Sequence, residues 1–287
     1  MRFLITGSSG QLGTAIAAAL APNHDVIGLD RTPGPQTTHL GSVADGDLIA
    51  RLLRQGDVVI HAASLHARHL GTATKHDFVE TNVTGTLTLL EAAAAARVAR
   101  VVYTSTTSLY GHALVPTDRA VWVTEDLPPQ PRDIYDLTKI AAEHLCRLFH
   151  DETRIPAICL RVGRFFPEPP DRLAAYRLYR GLDVRDAAAA HLLAATVDGV
   201  GFGTYNIAAR TPFVEPDTPT LLRDAPSVIR HYHPTAPAAF ARHGWVLPTS
   251  IDRVYTIDRA ARDLGYTPQH NFADFMQEYD EAQSVGK

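Results

Sequence analysis

The chain has 287 residues, enough for one large core or for a core plus a lobe. Hydrophobic residues make up 45% and charged residues 20%, with a formal charge of −4, so nothing in the electrostatics points to nucleic acid. No run approaches the roughly 20 apolar residues of a membrane span, the N-terminus lacks a signal-peptide layout, and two isolated cysteines, Cys146 and Cys159, suit a reduced compartment, so a cytoplasmic protein is expected.

In chain order, "RFLIT" reads as a buried strand and Gln11 to Leu20 as a helix stopped near Pro22. "HDVIGLD" is a second strand ending at Asp30; a polar loop rich in Gly and Pro follows, then a helix near Asp47 to Arg54. "DVVIHAA" is a third strand, His76 to Ala96 a long helical run, and "RVVYTS" a fourth strand. Ile134 to His150 reads as a helix and "PAICLRV" as a fifth strand. The alternation argues for an α/β fold, a doubly wound parallel sheet covered on both faces. After Arg161 the rhythm breaks, because "FFPEPPD" is too rich in proline for regular structure. A helix from Asp186 to Val197 and the strand "GTYNIA" resume it. Residues 211–250 read as a small lobe, and Phe272 to Ala282 as a last helix. The expected division is a dinucleotide-binding unit over 1–161 with 182–208 returning to it. Segments 162–181 and 209–287 then form a substrate lobe and the C-terminal helix.

The first strand enters a turn with Gly7, Gly10 and Gly13. In such a turn one glycine permits a tight backbone, one lets phosphates approach the main chain, and one lets the helix pack on the sheet. The helix N-terminus then offers free N–H groups to a pyrophosphate. Ser9, Gln11 and Leu12 belong to the same candidate site. Asp30 lies 17 residues beyond Gly13, at the end of the next strand, where a carboxylate holds ribose hydroxyls and repels a 2′-phosphate. That favours NAD over NADP, although Arg31 beside it pulls the other way.

"YDLTK" puts Tyr135 and Lys139 four residues apart on one helical face. An ammonium and a positive nicotinamide ring both favour phenolate, which makes the tyrosine a base for a carbinol proton. The preceding strand ends in "TSTTSLYG", whose Ser105 and Thr106 hydroxyls suit the substrate carbinol.

The combination of "TGSSGQLG", Asp30, "HAAS", "NVTGT", "TSTTSLYG", "YDLTK", "LRV", "LDVRDAAAAH", "TYNIA" and "RAARDLGYTP" resembles the extended short-chain dehydrogenase/reductases, the NAD-dependent epimerase/dehydratase family. The resemblance implies a Rossmann domain, with Tyr135 as base, Lys139 as its partner and a ribose ligand, and Thr106 on the substrate hydroxyl. It places Ala62, Ala63, Ser64 and Thr104 beside the cofactor, Asn82 near its ribose side, Ser42 and Val43 at adenine, and Val162 near the nicotinamide. Ser64 is expected to touch substrate as well. A homodimer through the two long helices is also implied.

Two departures narrow the chemistry. Family members that are 4,6-dehydratases carry Asp-Glu after the threonine, whereas Thr107 and Ser108 stand here, so dehydration has no acid. Only about twenty residues separate Arg161 from Val184, where nucleotide-sugar epimerases have some tens. "RVGRFFPEPPDRLAAYR" instead is similar to the uronate dehydrogenases. A compact polyol, sugar or sugar acid is therefore expected, with Arg164, Arg172 and Arg177 available to a carboxylate or phosphate on it. Against this, residues 211–257 keep the length found in epimerases.

Fourteen histidines raise a metal site, with His61, His66 and His69 the closest group. Ligands from one loop without paired carboxylates or thiols make a poor site, so no metal is expected. "HYH" at 231–233, His243 and Trp245 read as lobe residues, and Trp122 as part of a loop covering the active site. Three readings remain: a dehydrogenase, an epimerase that retains its reduced cofactor, and an NAD-binding regulator without turnover. The Tyr135, Lys139 and Thr106 set argues against the regulator.

Overall fold

The computed structural model describes residues 1–285. β1 (Arg2–Thr6) passes through the glycine turn into α1 (Gln11–Leu20), followed by β2 (Asp25–Asp30) and the two-residue β3 (His39–Leu40). Next come α2 (Gly46–Leu52), β4 (Val58–His61) and α3 (Lys75–Val79). A single π-turn, Glu80–Thr84, joins α3 to α4 (Gly85–Ala96), so the expected long helix is two helices around a local widening. β5 (Arg100–Thr106), β6 (Val121–Val123), α5 (Ile134–Thr153) and β7 (Ala157–Val162) follow. Then come α6 (Pro170–Arg177), α7 (Val184–Thr196) and β8 (Phe202–Ile207). The remainder holds α8 (Thr218–Arg223), α9 (Ala225–Tyr232), α10 (Ala236–Arg242), β9 (Arg253–Tyr255), α11 (Asp258–Leu264) and α12 (Phe272–Val285).

Seven strands form one parallel sheet in the order β3-β2-β1-β4-β5-β7-β8. Its central strands are continuous apolar runs because both faces are covered. Phe3 and Ile5 join Ile60, Val102 and Ile158 in the core beneath α1 and α7. Leu4, one residue between them, faces the other way and packs with Val59, Val101 and Tyr103 beneath α2, α4 and α5. The strand order reverses between β1 and β4, and ligands of open α/β sheets bind at the carboxyl ends of strands at such a switch point.

A third core, built on Leu178, Leu221, Ile229, Phe240 and Ile251, holds α8, α9 and α10 together with α6 and α12, whereas Ala260 and Leu264 of α11 join the first core. Two expectations change here. "FFPEPPD" does contain the start of a helix, since Pro170 opens α6, where its missing N–H costs nothing. Trp122 lies in β6 rather than in a covering loop; β6 pairs in parallel with β9, Trp122 opposite Val254, and the indole packs against the lobe core.

Candidate active site

One cleft of about 730 Å³ runs across the carboxyl end of the sheet. At its floor is the glycine turn. Gly7 has φ +77°, and a Cβ there would stand 2.6 Å from the Ala63 nitrogen. A Cβ on Gly13 would stand 2.0 Å from the Gly7 oxygen, so both positions need glycine for close approach. Gly10 caps α1 without a side chain, leaving the first N–H groups of the helix with no capping partner. Gly7, Ser9, Gly10, Gln11 and Leu12 all line the cleft.

Asp30 ends β2 at the rim beside this turn, with Arg31 next to it. Its carboxylate accepts from the Ser9 N–H at 3.0 Å and from the Thr32 N–H at 3.0 Å, which fixes it facing the helix N-terminus. Ser42 and Val43 line the same end, and Ala62, Ala63 and Ser64 follow β4 along the opposite wall. An anion-ready helix end, a close-packed glycine turn and a carboxylate on the next strand fit a dinucleotide.

Asn82 does not line the cleft. Its amide is fully engaged: Nδ2 donates to the Leu65 carbonyl and to Thr138 Oγ1, and Oδ1 accepts from the Leu65 N–H. It ties the loop after β4 to the helix that carries Tyr135. His61 is likewise structural, joined to Thr6 and Thr86 at 2.7 and 3.0 Å, and burial together with nearby Lys139 lowers its pKa to about 3. No group of residues with metal-ligand character occurs among the described residues.

α5 begins at an Asp133 cap, whose side chain accepts from the Asp136 N–H, and projects Tyr135 and Lys139 into the cleft beside Thr106 of β5. Lys139 Nζ donates to the Thr104 carbonyl at 2.6 Å and stands 4.2 Å from the Tyr103 ring centroid. Burial lowers the Lys139 pKa to about 7, with Glu143 opposing. Tyr135 departs from the sequence-based expectation of an acidified phenol. Burial pushes it up to about 12, a hydrogen bond with the Thr106 side chain opposes this, and Asp136 and Asp133 add to the rise. The physical reason is that the phenol is enclosed while the Lys139 ammonium is held at the Thr104 carbonyl.

Strand alternation separates the hydroxyls of "TST". Thr104 Oγ1 meets His191 at 2.8 Å, and Ser105, which lines the cleft as Thr104 does, donates its hydroxyl to Glu143 at 2.6 Å. Glu143 also receives Arg161, whose Nη1 donates to the Tyr110 hydroxyl at 3.0 Å. Thr107 donates to the Val162 carbonyl and Ser108 Oγ accepts from Arg132 at 2.9 Å, so no carboxyl group follows Thr106. Val162 lines the cleft at the end of β7.

Of the expected arginines, Arg164 lines the cleft and pairs with Glu168. Arg172 does not reach it: it is exposed and pairs with the same Glu168 at 3.0 Å. Arg177 is buried against Asp183 at 2.8 Å. The sequence reading missed Arg68, Arg132, Arg180 and Arg253, all of which line the cleft. Arg132 had a signal, three residues before Tyr135; Arg180 and Arg253 come from segments whose placement depends on the lobe.

A model of the NAD dependent epimerase/dehydratase family matches residues 3–175. A dTDP-glucose 4,6-dehydratase of Neisseria gonorrhoeae is 29% identical over 94% of this chain and 91% of that protein. A uronate dehydrogenase of Pseudomonas syringae is 25% identical over 60% of this chain and 62% of that one. Among solved structures, a short-chain dehydrogenase/reductase superfamily protein from Agrobacterium tumefaciens with bound NAD superposes with a TM-score of 0.76 at 22% identity, covering 99% of this chain and 98% of its own. A Bacillus cereus UDP-glucuronic acid 4-epimerase, solved with UDP-glucuronic acid and NAD, gives 0.70 at 22% identity over 99% and 100%. With the family model spanning more than half its length, the chain belongs to the NAD dependent epimerase/dehydratase family of enzymes, and NAD is its cofactor.

Proposed function

We propose that this enzyme takes hydride from a carbinol of a compact sugar or sugar-acid-like substrate and acts chiefly as a dehydrogenase. The convergence of Tyr135, Lys139 and Thr106 in one cleft with the glycine turn carries the reading. Bound NAD supplies the hydride acceptor. Thr106 holds the substrate hydroxyl, and Tyr135 removes its proton as the carbon is oxidised. Because burial holds the phenol near 12, this step needs the positive charge of Lys139 and of the oxidised cofactor nearby. Gly7, Ser9, Gly10, Gln11, Leu12, Asp30, Ser42, Val43, Ala62, Ala63, Ser64, Thr104 and Val162 hold the cofactor. The 1–161 unit with 182–208 carries it, and 162–181 with 209–287 meets the substrate.

The short segment between β7 and α7 supports a small substrate over a nucleotide sugar, and the missing carboxyl after Thr106 argues against dehydration. We place the enzyme in the cytoplasm as a homodimer joined through α4 and α5, whose outer faces expose Leu87, Leu137 and Leu148. The test is a panel of free sugars, sugar acids and nucleotide sugars with NAD, followed by NADH absorbance and product NMR. Free NADH with a keto or lactone product supports the reading. A stereoisomer formed without free NADH replaces it with epimerisation.

A further inference from the structure

The chain is acidic as a whole, yet one end of its cleft is not. Five arginines line the substrate end: Arg68, Arg132, Arg164, Arg180 and Arg253. Among the described residues the one carboxylate lining the cleft, Asp30, stands at the opposite, adenosine end. Three of the five are neutralised from behind: Arg132 by Asp136 at 3.1 Å, Arg164 by Glu168, and Arg253 by Asp252. Arg68 and Arg180 have no ion-pair partner among the described residues. Each is held by an aromatic face instead. Arg68 lies 5.4 Å from the Phe166 ring centroid, and Arg180 lies 4.6 Å from that of Tyr176. Arg164, 5.3 Å from the same Phe166 ring, links the two, because its N–H donates to the Arg180 carbonyl at 3.2 Å.

Arg68 is exposed and Arg180 half-buried, so both guanidiniums remain open to a ligand, and their uncompensated charge attracts an incoming anion. The neighbouring His66 feels the same field. Burial first, then His69, Arg68 and Lys139, lower its pKa to about 4, so it remains neutral and adds no third charge.

We propose that Arg68 and Arg180 are the two arms of a receptor for a phosphate monoester on the substrate. The proposal deepens the reading of the cleft as a hydride-transfer site and rests on it. Two free guanidiniums match the nearly dianionic charge of a phosphate monoester at neutral pH, and their planar donor forks match its oxygens. A carboxylate can bridge two guanidiniums, as Glu168 does between Arg164 and Arg172, but it brings one negative charge against their two. A nucleotide diphosphate carries enough charge but also brings a base and a ribose, and the short stretch between β7 and α7 gives them little wall.

Calorimetry on the NAD-loaded enzyme tests this with glucose 6-phosphate, glucose, glucuronate and UDP-glucose as probes, and inorganic phosphate as competitor. Glucose 6-phosphate is expected to bind more tightly than the other three, and inorganic phosphate to displace it. Arg68→Ala and Arg180→Ala should each weaken glucose 6-phosphate roughly 10- to 100-fold, the range for losing a charge-assisted hydrogen bond, with NAD affinity unchanged as the control for folding. Arg180→Lys should recover part of the loss, and phosphate should raise the His66 pKa seen by NMR. Glucuronate or UDP-glucose binding as tightly as glucose 6-phosphate would overturn the proposal, as would failure of both phosphates to bind at millimolar concentration or an unchanged preference in both alanine variants. Arginine-dependent phosphate binding in an enzyme whose Tyr135→Phe form keeps full turnover would instead sink the hydride-transfer reading and leave the receptor standing.

Discussion

Lys139→Met separates the catalytic use of the ammonium from its cost to the fold. Lys139 is buried, and burial lowers its pKa from 10.5 to about 7. The unfolded chain returns it to the ordinary value. Between those two values the unfolded state binds more protons than the folded one, so stability rises with pH across that window. The penalty is complete below the folded pKa and gone above the unfolded one. At about 1.4 kcal/mol for each pH unit between them, it amounts to about 5 kcal/mol in acid. Substitution also removes two favourable contacts, the 2.6 Å bond to the Thr104 carbonyl and the cation 4.2 Å from the Tyr103 ring. Those losses cost about 1–3 and about 0.5–2 kcal/mol respectively. Lys139→Met is therefore expected to match the wild type or exceed it by up to about 3 kcal/mol at neutral pH, while losing turnover. Urea unfolding of both cofactor-free proteins gives the sharper comparison. Relative to the variant, the wild type should gain about 2 kcal/mol between about pH 7 and about pH 9. Parallel stability curves over that range would refute the reasoning, because they would mean that Lys139 titrates alike in both states.

Gly10→Val should fold, since a Cβ there meets only the Gly7 oxygen at 3.3 Å, yet block the dinucleotide; unchanged NAD affinity in the folded variant would reduce the turn to a simple connection. Asp30→Ala should weaken NAD and relax discrimination against NADP, measured as the ratio of dissociation constants, and a wild type that already prefers NADP would show Arg31 to dominate. Tyr135→Phe should lower turnover roughly 10²- to 10⁴-fold with little change in NAD affinity, and near wild-type turnover on the true substrate would leave only a shared fold.

The cofactor half was legible because its signals are local. β1, the glycine turn and α1 follow within twenty residues, and the apolar runs identify each central strand. The substrate half was not, because its geometry depends on distant partners. Nothing near Val121 reveals that it will pair with Arg253, so Trp122 read as a loop residue. Other misplacements had unused signals. Alternation along β5 already sends Ser105 to the opposite side from Thr104 and Thr106. Glu168 stands between Arg164 and Arg172 in sequence and pairs with both, a matching of charges visible in the sequence although Glu168 precedes α6 and no helical spacing applies. The Tyr135 pKa was out of reach for a different reason: it depends on how completely the phenol is enclosed, which no spacing records.

The pairing of β6 with β9 spans 132 positions from Val121 to Arg253, and Arg253 and Tyr255 of β9 line the cleft. As the chain emerges from the ribosome, every strand of the seven-stranded sheet is available by Ile207, while β9 is still unmade. The glycine turn, Tyr135 and Lys139 can therefore assemble before the last wall of the cleft exists. Such a distant contact forms late, because its loop must close before the contact stabilises anything. A nascent chain halted before Arg253 should accordingly bind dinucleotide and protect its sheet from proteolysis without yet being able to select a substrate.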